Sequence, residues 1–196
     1  KSKVIKNTFL IESLSLSSPF YLLKMTAQWT DAHKMSDVLL EGFIESSNLS
    51  KGLDEWGMPP VIESKQSLLT FNLKAKKELA ALQLKDFYGN LSLKLLNGRI
   101  THLSEEVEKS LGLGKLISIL SLQTLPRRLT LDFTDLSKDG FNFDVLKGDF
   151  DLSKGRVHTS NSYLDGPVSF VSMKGALNIL KKDYDLTLKV VPHITA

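Results

Sequence analysis

Leu23-Lys24-Met25-Thr26-Ala27-Gln28-Trp29 alternates apolar residues at odd positions with polar ones at even positions. Successive side chains of a β-strand point to opposite faces, so the run makes one apolar and one polar face. Leu129-Thr130-Leu131-Asp132-Phe133-Thr134 and Tyr184-Asp185-Leu186-Thr187-Leu188-Lys189-Val190 repeat the design. Further strand candidates are Thr8–Leu16, Val38–Glu45, Ser67–Lys74, Ala81–Lys85, Asn90–Leu95, Phe143–Leu152, Arg156–Ser160 and Val168–Leu177. Turn residues separate them: Asn97-Gly98, Ser153-Lys154-Gly155, Asp165-Gly166-Pro167 and Lys182-Asp183. Short connections of this kind favour antiparallel hairpins. Gly89–Leu93 leading to Gly98-Arg99-Ile100, and Gly148–Leu152 leading to Gly155-Arg156-Val157, both read as strand, tight turn, strand. The glycine spacing differs between the two, so this is a recurring hairpin and not a fixed-period repeat.

Composition narrows the class. Leucine supplies 36 of 196 residues, which alone would suggest helices, but the alternation outweighs it. With 42% apolar and 24% charged residues the chain has globular values and should fold. Cysteine is absent, so disulfides, thiolate metal sites and a thiol nucleophile are excluded. A net charge of +3, from 25 Lys and Arg against 22 Asp and Glu, is too weak a field for a nucleic-acid binder. The chain opens on Lys1-Ser2-Lys3 and closes on Pro192-His193-Ile194-Thr195-Ala196, directly after a strand-like run. Residues 1–196 therefore read as one fragment of a longer chain. The longest apolar run, Leu116 to Leu125, is short of the ~20 residues that cross a bilayer.

Two segments break the alternation. Asn48–Trp56 predicts a short helix, ended by Gly57 and Pro59-Pro60. Ser104–Leu125 predicts a longer one. Ser104 suits the N-cap, and Glu105, Glu106 and Glu108 suit the positive end of the helix dipole. Leu113, Leu116, Ile117 and Leu120 recur at helical spacing, and Pro126 stops the run.

Catalytic patterns are sparse. His33, His102, His158 and His193 have no second histidine at ligand spacing, and each reads as a surface or strand residue. Asp149-Phe-Asp151-Leu-Ser153-Lys-Gly155 faintly matches a calcium loop, but its glycine comes one place late and position twelve is Ser160. A hairpin turn explains it better. Gly112-Leu-Gly114-Lys115 lacks phosphate-loop spacing and lies inside the predicted helix. No G-x-S-x-G elbow occurs. Arg127-Arg128 suits the end of the helix better than a phosphate site. The residues thus argue against an enzyme. The apolar faces of the predicted strands exceed what two modest helices can cover. A sheet closed on itself would make an ordinary core. A sheet left open and curved would expose an apolar trough suited to acyl chains, at about 0.8 kcal/mol per buried methylene. Sequence alone leaves both open.

The stretch from Gly114 to Phe133, GKLISILSLQTLPRRLTLDF, resembles the C-terminal region of the YhdP family, large AsmA-like proteins of Gram-negative bacteria. The resemblance continues through Gly140-Phe-Asn-Phe-Asp144, Gly148-Asp-Phe150, Gly155, Gly166-Pro167 and Tyr184–Pro192, and upstream through Leu53–Pro59. It covers roughly Leu49 to Pro192. It departs at Lys74-Ala75-Lys76, where relatives carry a tryptophan-containing segment. Such proteins are similar to TamB, YdbH and the eukaryotic bridge-like lipid transfer proteins.

The resemblance implies a mostly β fold, a curved antiparallel sheet with an apolar groove face, plus one longer and one short helix. It implies movement of phospholipids between inner and outer membrane across the periplasm, without catalysis or a cofactor. The expected partners are phospholipids and the outer membrane or a protein close to it, with no nucleic acid. An N-terminal helix in the inner membrane is the expected anchor. The alternating positions Leu23, Met25, Ala27, Trp29, Leu129, Leu131, Phe133, Tyr184, Leu186, Leu188 and Val190 become the candidate groove. Leu113, Leu116, Ile117 and Leu120 become a helix that caps the groove, touches a membrane or covers a sheet edge. The competing expectation is a closed-core structural module, or an assembly factor near the outer membrane.

Overall fold

A computed structural model describes residues 1–5, 7–32, 35–101, 140–181 and 183–193. Among these residues ten strands form one sheet in simple chain order. They are β1 Ser2–Ile5, β2 Thr8–Ser17, β3 Tyr21–Ala32, β4 Met35–Ser46, β5 Ile62–Lys77, β6 Phe87–Ile100, β7 Phe141–Ser153, β8 Arg156–Asp165, β9 Ser169–Asn178 and β10 Asp183–Pro192. Every neighbouring pair is antiparallel, and among the described residues β1 and β10 are the edges of an unclosed sheet. The mostly β, antiparallel architecture is therefore observed, and among the described residues the sheet is not closed into a barrel. The predicted helix Ser104–Leu125 and strand Leu129–Thr134 lie outside the described residues.

Local chemistry accounts for the punctuation. Ser153 and Arg156 pair across Lys154 (φ 51°) and Gly155 (φ 71°). Two central residues at positive φ match the right-handed twist of the flanking strands. Helix α1, Leu49–Glu55, starts where Asn48 accepts a hydrogen bond from the Lys51 N–H at 3.3 Å. Gly57 at φ 69° follows its end. Each register shift leaves one extra residue, on β2 between Ile11 and Leu14 and on β8 between Thr159 and Ser162, where such a bulge bends the strand that carries it.

Two sequence readings are corrected. Ala81–Lys85 is not a strand. It falls in the β5–β6 connection, built from two 3-10 turns, Leu79–Ala81 and Leu84–Asp86. The Asp86 carboxylate accepts from the Gln83 N–H at 2.9 Å and pairs with Lys77 at 2.8 Å, which fixes the bend. Asn97-Gly98 is not a turn, because β6 runs straight through it. Asn97 sits at φ 50°, and the Ser64 hydroxyl bridges the interruption. It donates toward the Gln66 and Leu96 carbonyls at 2.8 Å and accepts from the Leu96 N–H at 3.2 Å. Gly98 is there for the neighbouring strand: a Cβ would come 2.5 Å from Cζ of the Phe143 ring. The expected pair of matching hairpins is thus one long strand and one true hairpin. Strand β1 is an addition that the sequence reading did not contain.

The main buried cluster, Leu95, Phe141, Phe143, Leu164 and Val171, sits toward one rim of the sheet. Leu49 of α1 and Val190 of β10 pack against it. Among the described residues, substantial contacts join only adjacent strands, apart from those of α1 and the second 3-10 turn with β5. No second layer covers the remainder of the sheet within those residues.

Candidate functional site

Residues directly opposite one another in a sheet share a face. The registers join one such row across all ten strands: Ser2, Ile11, Ala27, Leu40, Leu73, Gly89, Leu152, Val157, Leu177 and Tyr184. A second row runs Tyr21, Ser46, Ser67, Leu95, Leu146, Leu164, Val171, Val190. Leu16, Leu23, Ile44, Leu69 and Leu93 start a third between them. The result is one apolar face running across the strands. Nine inter-strand steps of about 4.8 Å give it a length of about 43 Å.

The structure places Leu23, Met25, Ala27 and Trp29 on β3, and Tyr184, Leu186, Leu188 and Val190 on β10, all on this face. Ala27 is buried and the others are half-buried. Trp29 stacks on Phe9 of β2 with ring centroids 4.1 Å apart. The two sets do not touch: six strands lie between them. Leu129, Leu131 and Phe133, and Leu113, Leu116, Ile117 and Leu120, lie outside the described residues. The intervening wall, including Leu40, Phe71, Leu73, Leu91 and Phe150, was not singled out from sequence. Its signal was the same alternation, present in the strand candidates at Val38–Glu45, Ser67–Lys74, Asn90–Leu95 and Phe143–Leu152.

The face is chemically plain. Four shielded hydroxyls in it, those of Ser67, Thr159, Ser169 and Tyr184, have no hydrogen-bond partner among the described residues. Among the described residues, no group of three or more His, Cys, Asp or Glu is placed to hold a metal ion. Nor is any described helix long and apolar enough to cross a membrane.

The opposite face is mostly polar. Asn90 donates to Asp151 at 2.6 Å, and Asp149 accepts from Ser92 at 2.7 Å and from Asn161 at 2.8 Å. These bonds replace the calcium-loop resemblance with a cross-strand ladder over β6, β7 and β8. Arg99 makes two bonds to Glu63 at 2.9 and 3.1 Å. A depression of about 610 Å³ crosses β4 to β8 and has Glu41, Asn72, Ser92, Asp149 and Asn161 in its wall.

The Ser92 hydrogen bond, then that of Asn161, holds the Asp149 carboxyl below its ordinary value of 3.8. A depressed carboxylate stabilises the fold above the unfolded value and loses that contribution as pH falls through the folded one. Thermal melting of the wild type and Asp149→Asn should therefore differ at neutral pH. The gap should close as the pH drops below about 3.8. A gap that is constant down to the acid limit would contradict this.

Sequence comparison agrees with the architecture. The chain matches the YhdP protein family over residues 1–196 and belongs to it. It is similar to the "Intermembrane phospholipid transporter YhdP" of Escherichia coli (strain K12), with 23% identity over 181 residues. That alignment takes in 92% of this chain but only 14% of the relative, so the chain spans a small part of that protein's length. No solved structure matches.

Proposed function

We propose that this chain is a segment of a bridge that carries phospholipids between the inner and outer membranes, their acyl chains lying on the apolar face. The observation that carries the reading is the unbroken row from Ser2 to Tyr184, half-buried over much of its course and without a second layer among the described residues. A conduit must shield acyl chains while leaving headgroups in water. An open sheet with one apolar face does this. Each methylene taken from water contributes about 0.8 kcal/mol, and aliphatic walls make no directional contacts, so selectivity for chain type is low. Polar side chains on the other face keep the outside wet. In this reading the segment acts in the periplasm, the full-length protein is anchored in the inner membrane by an N-terminal helix, and it catalyses no reaction and needs no cofactor. Membership of the YhdP family and the relative's phospholipid-transporter name support it.

A photo-reactive amino acid at Leu40 or Leu73 should crosslink to phospholipid in cells, and one at Thr70 or Asn72 on the polar face should not. Equal yields from both faces, or none from the apolar one, would favour a structural module without lipid.

A further inference from the structure

Strand β10, Asp183–Pro192, pairs with β9 in continuous register over its whole length, and no described strand lies on its other side. The backbone N–H and C=O groups that point away from β9 are a template for a further strand. Natural edges are blunted by a bulge, a proline or a charge pointing to the apolar side. β10 has no bulge, its proline is its last residue, and its inward side chains Tyr184, Leu186, Leu188 and Val190 carry no charge. The opposite edge is different: β1 has four residues and covers only Thr8–Ile11 of β2.

The order of residues along β10 decides what pairs with it well. Its polar face presents Asp183, Asp185, Thr187 and Lys189, all exposed. Asp185 and Lys189 stand two places either side of Thr187. Laid antiparallel on itself about Thr187, the strand puts Asp185 opposite Lys189 of a second copy, and Lys189 opposite the Asp185 of that copy. Thr187 meets its own counterpart. On the apolar face Leu186 meets Leu188, and Tyr184 meets Val190. Opposite charges, Thr with Thr, and an aromatic with a β-branched residue are all cross-strand pairs that stabilise a sheet. A slip of one residue would turn the apolar face of one copy onto the polar face of the other. A slip of two keeps the faces, but it either loses both ion pairs or shortens the overlap from nine residues to seven.

We propose that two copies of this chain associate through β10 in this register, joining two ten-stranded sheets into one with a common apolar face. The two-fold axis closes the assembly, whereas β10 on the short β1 of a neighbour would propagate as a filament. Nine residues a side is fewer than the roughly 20–30 of a stable interface, so the association is reversible, at about micromolar concentration. It needs no lipid on the apolar face and stands or falls separately from the transport reading.

The chain has no cysteine, so a single introduced one can report the two-fold axis. Residues directly opposite in an antiparallel pair have Cα atoms about 4.5–5.5 Å apart, within the span of a disulfide. Under mild oxidation Thr187→Cys should form a covalent dimer of the 196-residue chain. Lys174→Cys, opposite Thr187 on β9, should not, because three strand spacings of about 4.8 Å separate it from its counterpart. In sedimentation without oxidant, Asp185→Lys should weaken self-association at least about tenfold, since two Lys–Lys pairs replace two ion pairs. Adding Lys189→Asp should restore it, because the exchanged charges face each other again. A chain that is monomeric at every concentration, equal crosslinking of the two cysteine variants, or a double variant as weak as Asp185→Lys would each overturn the proposal.

Discussion

Leu95→Asp is expected to unfold the chain, and Leu91→Asp, four residues earlier on the same strand and the same face, is expected to leave it folded. Leu95 is 1% exposed and belongs to the cluster with Phe141, Phe143, Leu164 and Val171. A carboxylate there has neither water nor a partner, and a loss above about 4 kcal/mol follows from burying an unpaired charge. That is a large share of the stability of an ordinary domain. Leu91 lies opposite Phe71 on β5 and Phe150 on β7, and is only half-buried. A carboxylate at that position retains part of its hydration, so its cost should stay near 1–2 kcal/mol. Urea unfolding of both variants reads the difference. Two variants with equally severe losses would mean that the face is closed core over its whole length, and the trough interpretation would fail.

The second large effect is expected from Gly89→Ala. Gly89 sits in the row that crosses the sheet, between Leu73 and Leu152. Its φ is 140°, a conformation that residues with a Cβ rarely adopt, and an added Cβ would lie 2.1 Å from the Asn72 carbonyl oxygen. Backbone strain of 1–3 kcal/mol adds to the displacement of a neighbouring central strand, so the variant should lose more than about 3 kcal/mol. Gly57→Ala offers the contrast. It also has positive φ (69°), but nothing lies within 4 Å of the added Cβ, so only the conformational cost of about 1 kcal/mol remains. Denaturation midpoints of the two variants separate close approach from strain. Similar midpoints would show that the β5–β6 spacing near Gly89 adapts.

The alternation was enough to find most strands and to assign faces locally. Leu23–Trp29 and Tyr184–Val190 show which of their side chains share a face because the period of two is a property of the strand itself. The register was not legible. Ala27 and Tyr184 join the same row only through six intermediate partners, and a one-residue slip at any of these pairings would move everything beyond it to the other face. This explains why the candidate groove contained its two ends and omitted Leu40, Leu73 and Leu91 between them. Asn97-Gly98 misled for a related reason. The pair is a strong local turn signal, but β5 and β7 flank it, Ser64 bridges the interruption, and the space above Gly98 holds the Phe143 ring. Ala81–Lys85 alternates as a strand does, yet the Asp86 carboxylate accepts from the Gln83 N–H and the Lys77 side chain and holds the segment in a bend.

The most direct test of the transport reading is the lipid content of the purified chain. Extraction into organic solvent followed by mass spectrometry should return a fixed amount of phospholipid per chain. That amount should fall sharply in folded Leu91→Asp and remain in the polar-face variant Asn72→Asp. Phospholipid at the level of an unrelated control protein, or an amount that Leu91→Asp leaves unchanged, would contradict an acyl-chain surface running across the ten strands.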